Sequence, residues 1–163
     1  MPEMKTLQRA REDAREGKAP TTQAGEFVRE EIEHVREGKH GARSTKQAIA
    51  IGLSKARRAG VKLPPPKKGQ ASERTRVQAQ RDVARQGKAA SPKRSRATRS
   101  ALQREGRQAA SHDALSRQAR STAQRRSPAS RSEAAKKAVR TKGKAGLRKA
   151  AKKAARTRTA GTA

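Results

Sequence analysis

A mostly α-helical protein is predicted: a small N-terminal helical hairpin or three-helix module, followed by a long basic tail that is largely disordered or made of isolated helices. Three observations carry this. Apolar side chains recur at helical spacing in two neighbouring stretches before residue 63. Each of these stretches closes on a glycine, the residue that most readily ends a helix. Beyond the Pro64-Pro65-Pro66 run, large apolar residues thin out while basic ones multiply.

The first helix is expected from about Pro2 to Glu16, with proline tolerated in the first turn and Gly17-Lys18 as the stop. Pro20, Thr21 and Thr22 then make a break that supplies a capping hydroxyl. The second helix is expected over about Gln23 to Glu37. Ala24, Phe27, Val28, Ile32 and Val35 form its apolar stripe, which carries the chain's single aromatic ring. Glu26, Glu30, Glu33 and Glu37 line up on the other side at steps of four, three and four. Like charges at that spacing repel by a few tenths of a kcal/mol per pair. The row reads as a solvated acidic face, with a dock for the basic tail and a divalent-cation site as the alternatives.

Gly38 ends this helix, and Gly41 permits a second positive φ in the turn. Ser44 is a good N-cap for a third helix, and Gln47 completes a capping box. Ile49, Leu53 and Ala56 form the expected core-facing stripe, flanked by the small residues Ala48, Gly52 and Ala59. Lys55, Arg57 and Arg58 favour the C-terminal end of the helix dipole before Gly60 stops the helix. Such a core is small and is expected to be marginal as a monomer.

Charge divides the chain at the proline run. Residues 1 to 63 hold 14 basic and 9 acidic side chains, a net of +5; residues 64 to 163 hold 29 and 5, a net of +24. Six large apolar side chains in the second part would return about 10–20 kcal/mol on full burial, against on the order of 100 kcal/mol or more to order a hundred residues. That part is therefore expected to be disordered when free. The organisation reads as a helical module over 1–63, a Pro/Lys/Gly linker over 64–71, a basic, weakly helical region over 72–127, and an Ala/Lys/Arg low-complexity tail over 128–163. Helical candidates in the basic region run from Ser72 to Gln86 and from about Thr98 to Gln124. The punctuation Arg15-Glu16-Gly17-Lys18 returns as Arg36-Glu37-Gly38-Lys39 and Arg85-Gln86-Gly87-Lys88, either as true repetition or as ordinary helix termination.

The chain has no cysteine, which excludes disulfides and thiolate metal sites. Its start has no apolar signal segment and no stretch is long enough to span a membrane, so a cytoplasmic address is expected. His34, His40 and His112 are scattered among charges with no nucleophile pattern, and no enzyme activity, cofactor or metal site is expected. Gly38-Lys39-His40-Gly41 lacks the spacing of a phosphate-cradling loop. It reads as a turn whose amides and Lys39 could still hold one phosphate.

A formal charge of +29 points to a polyanion. The residues expected to meet nucleic acid are Lys39, His40, Arg43, Lys46, Lys55, Arg57 and Arg58 in the module, and Lys93, Arg94 and Arg96 after it. In the tail they are Lys136, Lys137, Arg140, Lys142, Lys152, Lys153 and Arg156. Ser91-Pro92-Lys93-Arg94 reads as a basic turn of the kind that follows a minor groove. One Phe, no Tyr and no Trp leave no stacking platform for single strands. Duplex DNA is therefore favoured over RNA.

The block Lys39-His40-Gly41 with Lys46-Gln47-Ala48-Ile49-Ala50-Ile51-Gly52-Leu53-Ser54-Lys55-Ala56-Arg57-Arg58-Ala59-Gly60 resembles the signature of a family of small basic bacterial proteins of unknown function, over about residues 22 to 66. That likeness implies a bacterial source and a helical element, and no activity. Residues 88 to 163 are similar in composition to linker-histone tails and to bacterial histone-like proteins, which implies DNA condensation. The expected function is a non-enzymatic, nucleoid-associated protein that binds and condenses DNA with little sequence preference. The alternatives are an RNA- or ribosome-associated basic protein, or a partner-binding helical module with an accessory tail. Self-association through residues 23–59 is a further expectation.

Overall fold

The computed structural model describes residues 2–88 and 91–160. Among the described residues seven α-helices follow one another: α1 (Met4–Arg15), α2 (Pro20–Arg36), α3 (Thr45–Arg58), α4 (Glu73–Ala84), α5 (Pro92–Gln103), α6 (His112–Arg125) and α7 (Pro128–Ala160), with a short 3-10 turn at Gln108–Ala110 before α6. Two compact units are distinguished, Met1–Gln118 and Ala119–Ala163.

In the first unit α2 is the central element, because α1 and α3 both pack against it. Its apolar positions serve two clusters. Phe27 and Ala24 join Ala10, Ala56 and Leu63, with Leu7, Leu53 and Val61 partly covered around them. Further along, Ile32 and Val35 join Ala42, Ala48, Ala109 and Ala110, flanked by Val28 and Leu115. Phe27 and Val35 are fully buried, as the helical spacing of the sequence requires.

Helix ends follow local chemistry closely. Gly17, Gly38 and Gly60 take positive φ. The residue after each donates its amide five residues back, Lys18 to Asp13, Lys39 to His34 and Val61 to Ala56, the bonding of a Schellman stop. The third copy of the punctuation behaves differently: the Gly87 amide donates to Arg58 O at 3.1 Å and ties the end of α4 to α3. At the start of α3, Ser44 Oγ accepts from the Gln47 amide, and Gln47 Oε1 accepts from the Arg43 amide at 2.8 Å. The start of α2 departs from expectation. It begins at Pro20 in the first turn, with Ala19 as N-cap and no capping hydroxyl, since proline's fixed φ and missing N–H suit that position.

The face that α3 presents also differs from expectation. Ala48, Gly52 and Ala56, one helical turn apart, are the buried line, and Ile49 and Leu53 are only partly covered. A Cβ on Gly52 would lie 2.6 Å from Val28 Cα and 2.9 Å from Val28 N. Backbone meets backbone there, and the large side chains are displaced to the sides of the crossing. We expect Gly52→Ala to destabilise the unit by about 1–3 kcal/mol, the usual cost of overpacking, even though alanine is the better helix former. Urea titration followed by circular dichroism checks this, and a stabilised variant would contradict the close crossing.

The region after the proline run corrects the expectation of disorder. Ser72 Oγ caps α4 by accepting from the Thr75 amide, and α4 packs on α3 and buries Ala79 and Asp82. The expected helix over Thr98 to Gln124 is broken between α5 and α6, where residues 104–111 make a bend and the 3-10 turn. The basic tetrapeptide at Ser91 is not a turn: Pro92 opens α5 in its first turn. In the second unit α7 is helical over 33 residues with a kink at Gly143, where φ is 61° and ψ 175°. The low-complexity tail is therefore helix over its described length, as its alanine and lysine content favours.

Candidate functional site

Three groups of charged residues are candidates for function: the α2–α3 turn, a carboxylate and histidine cluster beneath it, and the exposed cations of α5 and α7. The turn is clamped from outside. Gly41 N donates to Leu102 O at 2.9 Å and Ala42 N to Gly106 O at 3.0 Å. Thr45 Oγ1 donates to Ala109 O at 2.7 Å, and Arg36 Nε to Ala110 O at 2.9 Å. Gly41 is not in the positive-φ region. It is required because the chain at Glu105 passes directly over its Cα.

This bonding settles what the turn can do. The amides of Gly38, Lys39, Gly41 and Ala42 all donate to backbone carbonyls, those of Val35, His34, Leu102 and Gly106. None of these four is left to cradle a phosphate. Lys39 sits between two carboxylates, 3.2 Å from Glu3 Oε1 and 2.9 Å from Glu37 Oε2; bonds to Glu37 and then Glu3 hold its ammonium above the ordinary lysine range. His40 turns inward. Arg43 and Lys46 are exposed, so the four basic residues at this turn do not form one patch. Beside them lies an open cleft of about 410 Å³, lined by residues 37–41 with Gln103, Glu105 and Arg107.

Beneath the turn, Glu30 and Glu31 are buried on α2. The expected solvated acidic row is thus interrupted at Glu30, while Glu33 and Glu37 stay exposed. Lys55 reaches in from α3, with Nζ 3.2 Å from Glu30 Oε1 and 2.7 Å from Glu31 Oε2. Burial pushes the Glu30 carboxyl up, but bonds from Thr6 and the Glu3 amide together with the Lys55 charge outweigh it and leave it below the ordinary glutamate range. His40 Nε2 lies 3.2 Å from Glu31 Oε1, and His34 Nε2 lies 2.8 Å from Glu3 Oε1. Glu31 went unnoticed in the sequence, yet a signal was there. It lies four residues after Phe27 and four before Val35, on the apolar stripe itself.

Lys55 and Arg57 therefore face the interior. Arg57 is buried and donates Nε to Leu63 O at 3.3 Å; burial lowers its pKa while the Asp82 charge opposes that. Arg58 is half-buried, and its Nε lies out of reach of solvent. The remaining expected contacts are on the surface. Lys93, Arg94 and Arg96 lie exposed on α5, a helix with no acidic residue. Lys136, Lys137, Arg140, Lys142, Lys152, Lys153 and Arg156 are exposed along α7, where Glu133, the helix's one carboxylate, lies 3.4 Å from Lys136. Among the described residues no helix is long and apolar enough to cross a membrane.

The helix pair built around α2 and α3 is what relates the chain to others. Residues 15–68 match the family of unknown function DUF6496. No curated protein and no solved structure matches the chain. The DUF6496 segment agrees with the likeness to a family of unknown function over residues 22 to 66, and covers about a third of the chain. It contains α2, α3, the turn between them, and the whole of the Glu30, Glu31, His34, His40 and Lys55 cluster. The residues that clamp the turn, 102–110, lie outside it, as do α5 and α7.

Proposed function

We propose that this is a non-enzymatic nucleic-acid-binding protein that associates with duplex DNA, condensing it with little sequence preference in a bacterial nucleoid. One observation carries the reading: residues 64–163 have a net charge of +24, and Lys93, Arg94 and Arg96 on α5, with Lys136, Lys137, Arg140 and Lys142 on α7, are exposed on helices that hold no acidic residue and one acidic residue respectively. Lysine and arginine arranged this way neutralise phosphates and release condensed counterions, an attraction that does not read sequence. The absence of Tyr and Trp argues against recognition by base stacking. The surface cations of α5 and α7 supply the affinity. Near the turn of the first unit Arg43 and Lys46 are exposed, and Lys39 is exposed between the Glu3 and Glu37 carboxylates.

The test is a salt titration of the full chain on duplex DNA, with structured RNA as competitor. Affinity is expected to fall by about a thousandfold or more between 50 and 200 mM salt, as for a protein that makes many phosphate contacts. A flat salt response would refute the electrostatic mechanism. Equal affinity for RNA at equal salt would remove the preference for DNA.

A further inference from the structure

We propose that Glu31, His34 and His40 form a binding site for a zinc-class divalent cation. The three residues each bring one donor atom to within 4.8 Å of the others. Glu31 Oε1 and His40 Nε2 are 3.2 Å apart, close to the ~3.3 Å edge between two ligands of a tetrahedral zinc ion.

A second observation, independent of the spacing, points to an occupant. His40 Nδ1 lies 3.0 Å from Gly41 O. A carbonyl oxygen only accepts, so Nδ1 carries a proton, and Nε2 is the ring nitrogen that faces the carboxylate oxygen. A backbone carbonyl fixing the far nitrogen in this way is the usual support of a metal-bound imidazole. Neither Glu31 oxygen, although fully buried, has an aligned hydrogen bond. Lys55 lies at ion-pair distance from Oε2, and Oε1 is the atom left facing His40.

Charge adds to this. Glu30 and Glu31 bring two carboxylates into the interior beside a single lysine, Lys55, so a further cation at Glu31 is electrostatically favoured. His34 stands at the rim with its ring held by Glu3. Both histidine side chains keep 14% of their exposure, enough for an ion to enter and for water to complete the coordination. Imidazole nitrogens with a carboxylate favour zinc and its neighbours over magnesium or calcium.

The experiment uses the full chain after chelator treatment. Calorimetric titration with zinc chloride is expected to show one ion per chain. Cobalt(II) should bind at the same place and develop visible absorption bands that non-specific association with surface carboxylates does not produce. His34→Gln and His40→Gln should each weaken zinc binding by tenfold or more, and His112→Gln, which alters an exposed histidine on α6, should leave it unchanged. If His40→Gln fails to fold, His34→Gln at the rim decides alone. The proposal is overturned by the absence of a one-to-one zinc isotherm, or by binding that survives His34→Gln. Equal loss in His112→Gln also overturns it.

Discussion

Lys55→Met is expected to destabilise the first unit by about 3–5 kcal/mol, the cost of leaving buried carboxylates without their cation. Among the described residues Lys55 Nζ is the one ammonium in contact with both Glu30 and Glu31, and Glu31 has no aligned hydrogen bond to fall back on. Glu30 keeps partners in Thr6 and the Glu3 amide, so most of the loss is assigned to Glu31. The double variant Glu31→Met/Lys55→Met should recover most of it, because an apolar pair of similar volume replaces the ion pair.

Acid reports on the same contact. The Glu30 carboxyl titrates below its ordinary value near 4.5. The stability it contributes is therefore fully present above that value and is lost as pH falls through the lower, folded-state value. In Lys55→Met that acid-dependent loss should be smaller, since one of the groups holding the carboxylate is gone. Urea titrations at neutral and acid pH measure both effects. A single variant within 1 kcal/mol of the parent would show that Lys55 is not the required counter-ion.

Gly41→Ala is expected to detach residues 102–110 from the α2–α3 turn. The new Cβ would stand 1.8 Å from Glu105 O, 2.3 Å from Glu105 C and 2.7 Å from Gly106 O. These are backbone atoms, so no side-chain rotation can relieve the overlap, and the loop must lift. Four hydrogen bonds are then at risk, from Gly41 N, Ala42 N, Thr45 Oγ1 and Arg36 Nε. At about 1 kcal/mol each the loss is on the order of 3 kcal/mol or more. Hydrogen exchange should show the Gly41 and Ala42 amides losing protection. Gly106→Ala, where a Cβ meets nothing within 4 Å, is the matched control and should be close to neutral. Unchanged protection at Gly41 in the alanine variant would refute the close approach.

Much of the local architecture was legible in the sequence. Gly17, Gly38 and Gly60 end their helices because only a residue without Cβ enters the left-handed region freely. Ser44 caps α3 because a hydroxyl can bond the free amide of Gln47. The stripe from Ala24 to Val35 was equally plain, because a 3.6-residue period turns every third or fourth side chain to one side. The likeness to a family of unknown function rested on the same short block.

The cluster under the turn was not legible, and the reason is physical. Glu30 and Glu31 read as solvated charges, since a buried carboxylate is tolerable only with a cation beside it. That cation, Lys55, stands on another helix, about 25 residues away. Whether Gly41 serves for a positive φ or for close approach depends on where Glu105 passes, 64 positions later. The burial estimate for the tail failed in the same way. It counted side chains of residues 64–163 as though they could only pack on one another. Ala109 and Ala110 instead complete a core begun by Ile32 and Val35.

The sequence by itself determined the helices of the N-terminal module, their stops and the large positive charge, because capping, periodicity and net charge act over a few residues or need no structure at all. Only the tertiary structure decided which charges are available to a partner. It turned Lys55 and Arg57 inward, and it gathered Glu31, His34 and His40 at one point. The desolvation and pairing that make those choices are properties of contacts between distant segments, and they exist only once the chain has folded.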